Sequence, residues 1–393
     1  MDPIRVLVLS SVVPNALGSG GELILHRHLK LNPRIQSEVV SWQQFPFRLK
    51  LIGKLREIGF RSASRGWECL FPVLPSDKMI HDHIHSFRPH VLVTVAHGWW
   101  HIQARRIAKQ IKLPLVCFFQ DWWPDFPEIP AAFRARVEHQ FYETCAESDV
   151  AICVSDDMRL ELGEPKNALV LHDAPSLPRW RKPTRDAELP LRVAYFGNLF
   201  EYGPLIESAL RTLNGSDRVR LEVFGANPLW TSGAMDEFRS RGVYRGFIAP
   251  KELEESLQNF QAALVAMSFA SSHRRRMTTS FPSKMIDAMQ LGLPVVIWGP
   301  EYCSAVKWAR RGERALCVTD ANPSAIRRAL EELAASPAEQ QRLAQSSREA
   351  AATEFNHERI QMQFIDALRR AIVVNRAENT TCLKVPPVEK IVW

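Results

Sequence analysis

Ser280-Phe281-Pro282-Ser283-Lys284-Met285-Ile286-Asp287-Ala288-Met289-Gln290-Leu291-Gly292-Leu293-Pro294-Val295-Val296 reads as a helix, a glycine turn and a buried strand. Ser280 or Ser283 suits a cap for the first turn, and Pro282 suits an early helical position. The amides near Ser283 and Lys284 then stand as donors at the positive end of the helix dipole, a natural seat for phosphate. Lys284 adds a mobile full charge. Asp287 follows about one turn later, and its carboxylate can accept from a pair of ribose hydroxyls. Together these groups suit the diphosphate and sugar of a nucleotide. An ordinary capped helix with a surface lysine would use the same residues, and this stretch alone leaves both readings open.

Outward from this unit, short β-branched runs alternate with helix-length segments. In the first half strands are expected over residues 4–11, 39–42, 91–96, 115–119, 151–155 and 168–172, and in the second half over 191–196, 219–224, 243–247, 262–267, 294–298 and 315–319. Most are continuously apolar rather than alternating, as in parallel strands covered on both faces. The segments between them, for example 201–213, 250–260 and 323–333, have helical patterning. This is βαβ repetition, hence an α/β, doubly wound architecture. The pattern runs twice. Between the runs the chain is rich in proline and charge, which reads as a linker. The expected division is a Rossmann-like domain over 1–175, a linker over 176–190, a second Rossmann-like domain over 191–354, a helix over 355–376, and a tail over 377–393. Two such sheets joined once leave a cleft at their strand C-termini, where ligands of this architecture bind.

The 393 residues are enough for two domains of ordinary size, and 46% hydrophobic with 24% charged residues fits a soluble globular chain. The seven cysteines are scattered and form no CxxC pair, which argues against a zinc knuckle or a disulfide framework. No signal peptide and no membrane-length apolar run is visible, so a cytoplasmic protein is expected. The net charge of +7 is mild. It suits phosphates or an anionic membrane face and does not by itself indicate nucleic acid. From Phe45 to Gly66 six basic residues face a single acidic one, Glu57, among many apolar residues. Either this is a basic amphipathic element lying on an anionic membrane, or a helix packed on the first domain with a solvated basic face.

Four further places carry candidate chemistry. After the first strand, Gly20 and Gly21 allow backbone to approach a ligand closely, just before a helix start that favours anions. That loop lacks the Gly-Lys-Ser/Thr of a Walker loop, and a plain flexible turn is the alternative. Val95-Ala96-His97-Gly98-Trp99-Trp100-His101 and Phe118-Phe119-Gln120-Asp121-Trp122-Trp123-Pro124-Asp125 each follow a strand. His97, Gln120 and Asp121 suit hydrogen bonds to sugar hydroxyls, and the tryptophans suit stacking on a sugar face. The competing reading places the tryptophans in a core edge. In the second half Gly197 and Gly225 sit at strand-to-turn junctions. A basic loop, His273-Arg274-Arg275-Arg276, is placed to neutralise a diphosphate or simply to be solvated.

At this point the chain resembles a GT-B-fold glycosyltransferase, most like the retaining family 4 type, over nearly its whole length. Ser280 to Val296 is similar to the donor-binding signature of that family, paired Glu residues about two helical turns apart followed by Gly-Xaa-Pro-Val-Val. Asp287 falls at the second Glu, the ribose-binding position, and Thr279 at the first. Pro282-Ser283-Lys284 matches a Pro-Ser-Lys branch of the family. Gly197-Asn198 matches the start of its second domain. The paired Arg and Lys that grip donor phosphates in the family would fall on Asn198 and Gly203, and Gln120 falls where a His is common.

The resemblance implies metal-independent transfer of a hexosyl group, without a cofactor, from a nucleotide diphosphate-sugar to an acceptor hydroxyl in polysaccharide or glycolipid synthesis, with retention. The catalytic set it implies is His97, Gln120, Asp121 and Lys284. The donor-binding set is Gly20, Gly21, Gly197, Asn198, Gly225, Phe247, Arg275, Ser283, Lys284 and Asp287. Partners would be the donor, a glycan, lipid-linked or small-molecule acceptor, and a peripheral membrane face through Phe45 to Gly66, with no nucleic acid. Two rivals stand beside this expectation: a catalytically degenerate sugar-binding or scaffold protein, and a nucleotide-sugar epimerase.

Overall fold

The computed structural model describes residues 2–18, 20–40, 69, 72–175 and 190–382. The basic stretch from Phe45 to Gly66, the linker up to residue 189 and the end of the tail lie outside the described residues. The chain divides into two compact units. One comprises Met1–Val13, Leu29–Leu171 and Met362–Trp393; the other comprises Pro14–His28 and His172–Gln361.

The first unit carries six strands, β1 (Ile4–Leu9), β2 (Ile35–Val40), β3 (Val91–Val95), β4 (Leu115–Phe119), β5 (Val150–Cys153) and β6 (Ala168–Val170), in the order β2-β1-β3-β4-β5-β6. All pairings are parallel. β3, β4 and β5 are buried at every position, which is why they read as unbroken apolar runs. The second strand was expected at 39–42 and lies earlier, at Ile35–Val40. β1 pairs with it residue for residue from Ile4↔Ile35 to Leu9↔Val40. The polar centre of that strand, Gln36-Ser37-Glu38, hid its start.

The second unit carries β7 (Leu191–Phe196), β8 (Val219–Phe224), β9 (Tyr244–Gly246), β10 (Ala262–Ala266), β11 (Val295–Trp298) and β12 (Leu316–Val318), ordered β12-β11-β10-β7-β8-β9. These pairings too are parallel. The order reverses between β10 and β7, and in the first sheet between β1 and β3. Such switch points open a crevice at the strand C-termini. The core of this unit runs from Leu191 and Tyr195 through Phe238 and Trp298 to Leu330 and Leu343. No helix among the described residues is long and apolar enough to cross a membrane.

Each unit buries one histidine that must stay neutral. His101 in the first unit and His28 in the second are almost without solvent contact. Burial lowers both from 6.5 to about 3, helped in His28 by the charge of His357 and Arg27 and in His101 by Arg105 and His97. Because the folded pKa lies below the unfolded one, the unfolded chain takes up the proton first as pH falls. The stability is fully present above pH 6.5 and is lost progressively towards pH 3. Urea unfolding should therefore show each ring costing about 2 kcal/mol at pH 5 relative to pH 7. His101→Gln should flatten that dependence; an unchanged slope would mean that the ring is not held neutral.

Candidate active site at the switch point of the second sheet

β7 is followed by Gly197, whose φ of +146° is a conformation L side chains rarely adopt. A Cβ there would lie 3.0 Å from Lys284 Cε and 3.5 Å from its Cγ. The glycine thus makes the bed on which the aliphatic stem of Lys284 lies. Asn198 follows as the N-cap of the Leu199–Thr212 helix and accepts from the amides of Phe200 and Glu201. Tyr195 Oη in turn donates to the Asn198 carbonyl at 2.7 Å.

Lys284 belongs to the helix Ser283–Gln290. The N-cap is Pro282, so neither Ser280 nor Ser283 serves as the expected cap, and Pro282 stands one position earlier than expected. Pro282 can be N-cap because its backbone is extended there and its missing N–H is not required. Nor is Lys284 a mobile surface charge. Burial lowers its pKa and Arg27 acts in the same direction, while Asp287 and Asp173 oppose them. Asp287 Oδ1 accepts from Arg27 Nη1 at 2.7 Å, and the same nitrogen donates to the Ala174 carbonyl at 3.2 Å. Both side chains of that pair are mostly buried. Two cations and two carboxylates therefore gather beside the N-terminal turn of one helix. The sequence reading missed Arg27 and Asp173, which are separated from this helix along the chain and carry no local motif.

The expected basic loop is not a loop. Ser271–His273 forms a 3₁₀ turn and Arg274–Thr279 an α-helix. Arg276 points inward, almost fully buried, and its Nη2 binds Glu201 Oε2 at 2.7 Å. His273 Nδ1 lies 3.4 Å from the other oxygen of Glu201 and 3.0 Å from Ser268 Oγ. Arg275 is partly exposed on the same helix. Thr279 is buried and donates through Oγ1 to the Arg275 carbonyl. The position that falls at the first Glu of the signature this stretch resembles is thus occupied by packing.

Gly225 and Gly203 are explained by close contacts within the chain. A Cβ on Gly225 would stand 2.5 Å from the Gly197 carbonyl oxygen, so what approaches Gly225 is the turn after β7. A Cβ on Gly203 would stand 2.2 Å from the Pro228 carbonyl oxygen, and Trp230 Nε1 donates to the Gly203 carbonyl at 2.8 Å. No larger residue fits Gly203 without moving that loop. Phe247, just past β9, is exposed. Gly20 has a φ of +54° and open space where a Cβ would be, and Gly21 opens the helix Gly21–Leu29 that carries Arg27.

In the first unit His97, Gln120 and Asp121 all sit just beyond strand ends, on β3 and β4, and all three are partly exposed. The Ser11 hydroxyl donates to the His97 carbonyl at 2.8 Å, closing the switch point between β1 and β3. The His97 ring packs edge-on against Phe126. Among the described residues, Gln120 Nε2 is buried with no acceptor. The tryptophans depart from the stacking expectation. Trp100, Trp122 and Trp123 are buried, Trp122 against Phe141 and Trp123 edge-on to Trp99 and His101. Their large apolar area is used to close the ends of the core.

No protein-family model and no curated relative matches the chain. Solved structures do. Sucrose-phosphate synthase from Thermosynechococcus elongatus superposes with a TM-score of 0.62 at 15% identity, over 94% of this chain and 99% of that one. A glycosyltransferase from Rickettsia africae ESF-5 gives 0.61 at 11% identity, over 94% and 99%. Anabaena Alr3699/HepE, solved in complex with UDP-glucose, gives 0.57 at 13% identity, over 93% and 99%. The chain has the two-domain, Rossmann-like GT-B fold. At such identities the likeness speaks for the fold.

The contact at Gly203 is directly testable. Gly203→Ala should lower stability by about 1–3 kcal/mol, because the Pro228 carbonyl must shift. Gly233→Ala, in the Ser232–Ser240 helix with nothing within 4 Å, should instead gain roughly 0.5–1 kcal/mol. Thermal melts of the two variants should move in opposite directions.

Proposed function

We propose that the protein is a glycosyltransferase that moves a hexosyl group from a nucleotide diphosphate-sugar to an acceptor hydroxyl. The observation that carries this reading is the meeting of Gly197, Lys284 and Asp287 at the switch point of the second sheet of a GT-B fold. The amides of Ser283 and Lys284 and the Lys284 ammonium would hold the diphosphate, and Asp287 the ribose. As the sugar leaves, charge grows on the diphosphate. Preorganised donors in a partly dry site stabilise it without a metal or a cofactor. In this reading the first unit recognises the acceptor, through His97, Gln120 and Asp121, and the second unit binds the donor, with Gly225, Phe247 and Arg275 beside the nucleotide. Retention at the anomeric carbon, a cytoplasmic place, and contact of Phe45 to Gly66 with an anionic membrane face during polysaccharide or glycolipid synthesis complete the proposal. The HepE neighbour was solved with UDP and with UDP-glucose, so these are the first ligands to try.

A second reading, a sugar-binding protein without turnover, is favoured by two observations. Thr279 is turned into the core, and Gly203 has no room for a cationic side chain. Thermal stabilisation by UDP, GDP, ADP and their sugar conjugates, followed by donor hydrolysis, separates the two. An active enzyme should melt a few degrees higher with one nucleotide family and hydrolyse the matching donor. Stabilisation without hydrolysis or transfer would support the second reading. Lys284→Ala should keep the unliganded melting point and lose turnover on the order of a hundredfold. Near-normal turnover would remove Lys284 from the chemistry.

A further inference from the structure

Arg27 lies 260 residues away in sequence from the carboxylate it binds, on the helix that begins at Gly21. Three contacts fix it. Its Nη1 bridges Asp287 Oδ1 and the Ala174 carbonyl, and its own carbonyl accepts from Gln361 Nε2 at 2.9 Å. Nearby, His357 Nδ1 meets the Pro175 carbonyl at 2.8 Å, which pins the segment that supplies the Ala174 acceptor. A guanidinium is a rigid planar fork, so a head anchored to a backbone carbonyl has little freedom to swing. Among the described residues, Asp287 makes its hydrogen bond through Oδ1 to Arg27, and Oδ2 bonds to none of them. A carboxylate offers about four acceptor positions, so holding one oxygen fixes where the other is presented.

We propose that Arg27 is a positioning residue for nucleotide recognition: it locks Oδ1 of Asp287 so that Oδ2 is presented to a ribose hydroxyl. The proposal rests on the reading of Asp287 as the ribose acceptor. It adds that discrimination between ribose and deoxyribose is set by a residue that does not touch the nucleotide. An untethered Asp287 would still carry its charge but would sample several rotamers, and its hydrogen bond to the sugar would lose directionality. The rival is a purely structural tether, in which Arg27 only holds the Gly21–Leu29 helix in place.

The test measures dissociation constants of UDP, GDP and ADP and of their 2′-deoxy and 3′-deoxy forms, for the wild type, Arg27→Lys, Arg27→Ala and Asp287→Asn, with the unliganded melting point as a folding control. A charge-assisted hydrogen bond to a fixed acceptor should give the wild type a preference for ribose of at least about tenfold. Asp287→Asn should reduce that preference severalfold. Both Arg27 variants should reduce it as well, including Arg27→Lys, which keeps the charge and loses the fork. Should Arg27→Ala fail to fold, Arg27→Lys carries the comparison. If the Arg27 variants keep the wild-type preference while Asp287→Asn loses it, Arg27 is a tether and the proposal is overturned, with the ribose role of Asp287 intact. If Asp287→Asn keeps the preference, or if the wild type shows none, the underlying reading fails and the proposal falls with it.

Discussion

The second unit depends on a back-to-back contact of two glycines. The Gly197 carbonyl lies where a side chain on Gly225 would begin, and the Lys284 stem lies where a side chain on Gly197 would begin. Neither residue can be enlarged without parting the turns after β7 and β8 or lifting Lys284 from its bed. From that contact the rest follows in steps. The turn at Gly197 delivers Asn198 as a cap, and the capped helix presents Glu201 in its first turn. Glu201 holds Arg276, which draws a run of three arginines into a helix instead of a solvated loop. The end of that helix sets where Pro282 starts the next one, and hence where Lys284 and Asp287 stand.

How much of this was legible in the sequence follows from the range of each interaction. All twelve expected strands exist, because most of them are apolar runs covered on both faces and that signal is local. The one badly placed strand, β2, has a polar centre and takes its register from β1 alone. The glycines at 197 and 203 were visible as residues, but their reasons are contacts with Lys284 and with Pro228, which no local pattern contains. Arg27 was invisible for the same reason: an arginine on an amphipathic helix reads as solvated until its partner is known. The tryptophans misled in the opposite sense. Trp100, Trp122 and Trp123 stand at strand ends, where a ligand reading is attractive, yet the core takes them.

The electrostatics of the site form a nearly balanced cluster. Lys284 and Arg27 face Asp287 and Asp173 in a place dry enough to push the lysine below its ordinary pKa. Neutral balance without a ligand is a reasonable resting state, since a lone charge in such a place would be costly. An entering dianion would add an opposite charge beside Lys284 and favour its charged form, opposing the effect of burial.

The departures from the glycosyltransferase signature that the sequence resembles also have a common physical direction. Two helices begin at this switch point, and helix starts attract anions. The Leu199–Thr212 helix carries Glu201 in its first turn, with no room for a cation at Gly203. Its positive end is therefore satisfied from within the chain. The Ser283–Gln290 helix has no acidic residue in its first turn and carries Lys284 there. Of these two helix starts, the electrostatic capacity to hold a diphosphate thus lies with the second. In the proposed reading the diphosphate is therefore held by the start of the Ser283–Gln290 helix and Lys284, and the Leu199–Thr212 helix contributes no cation.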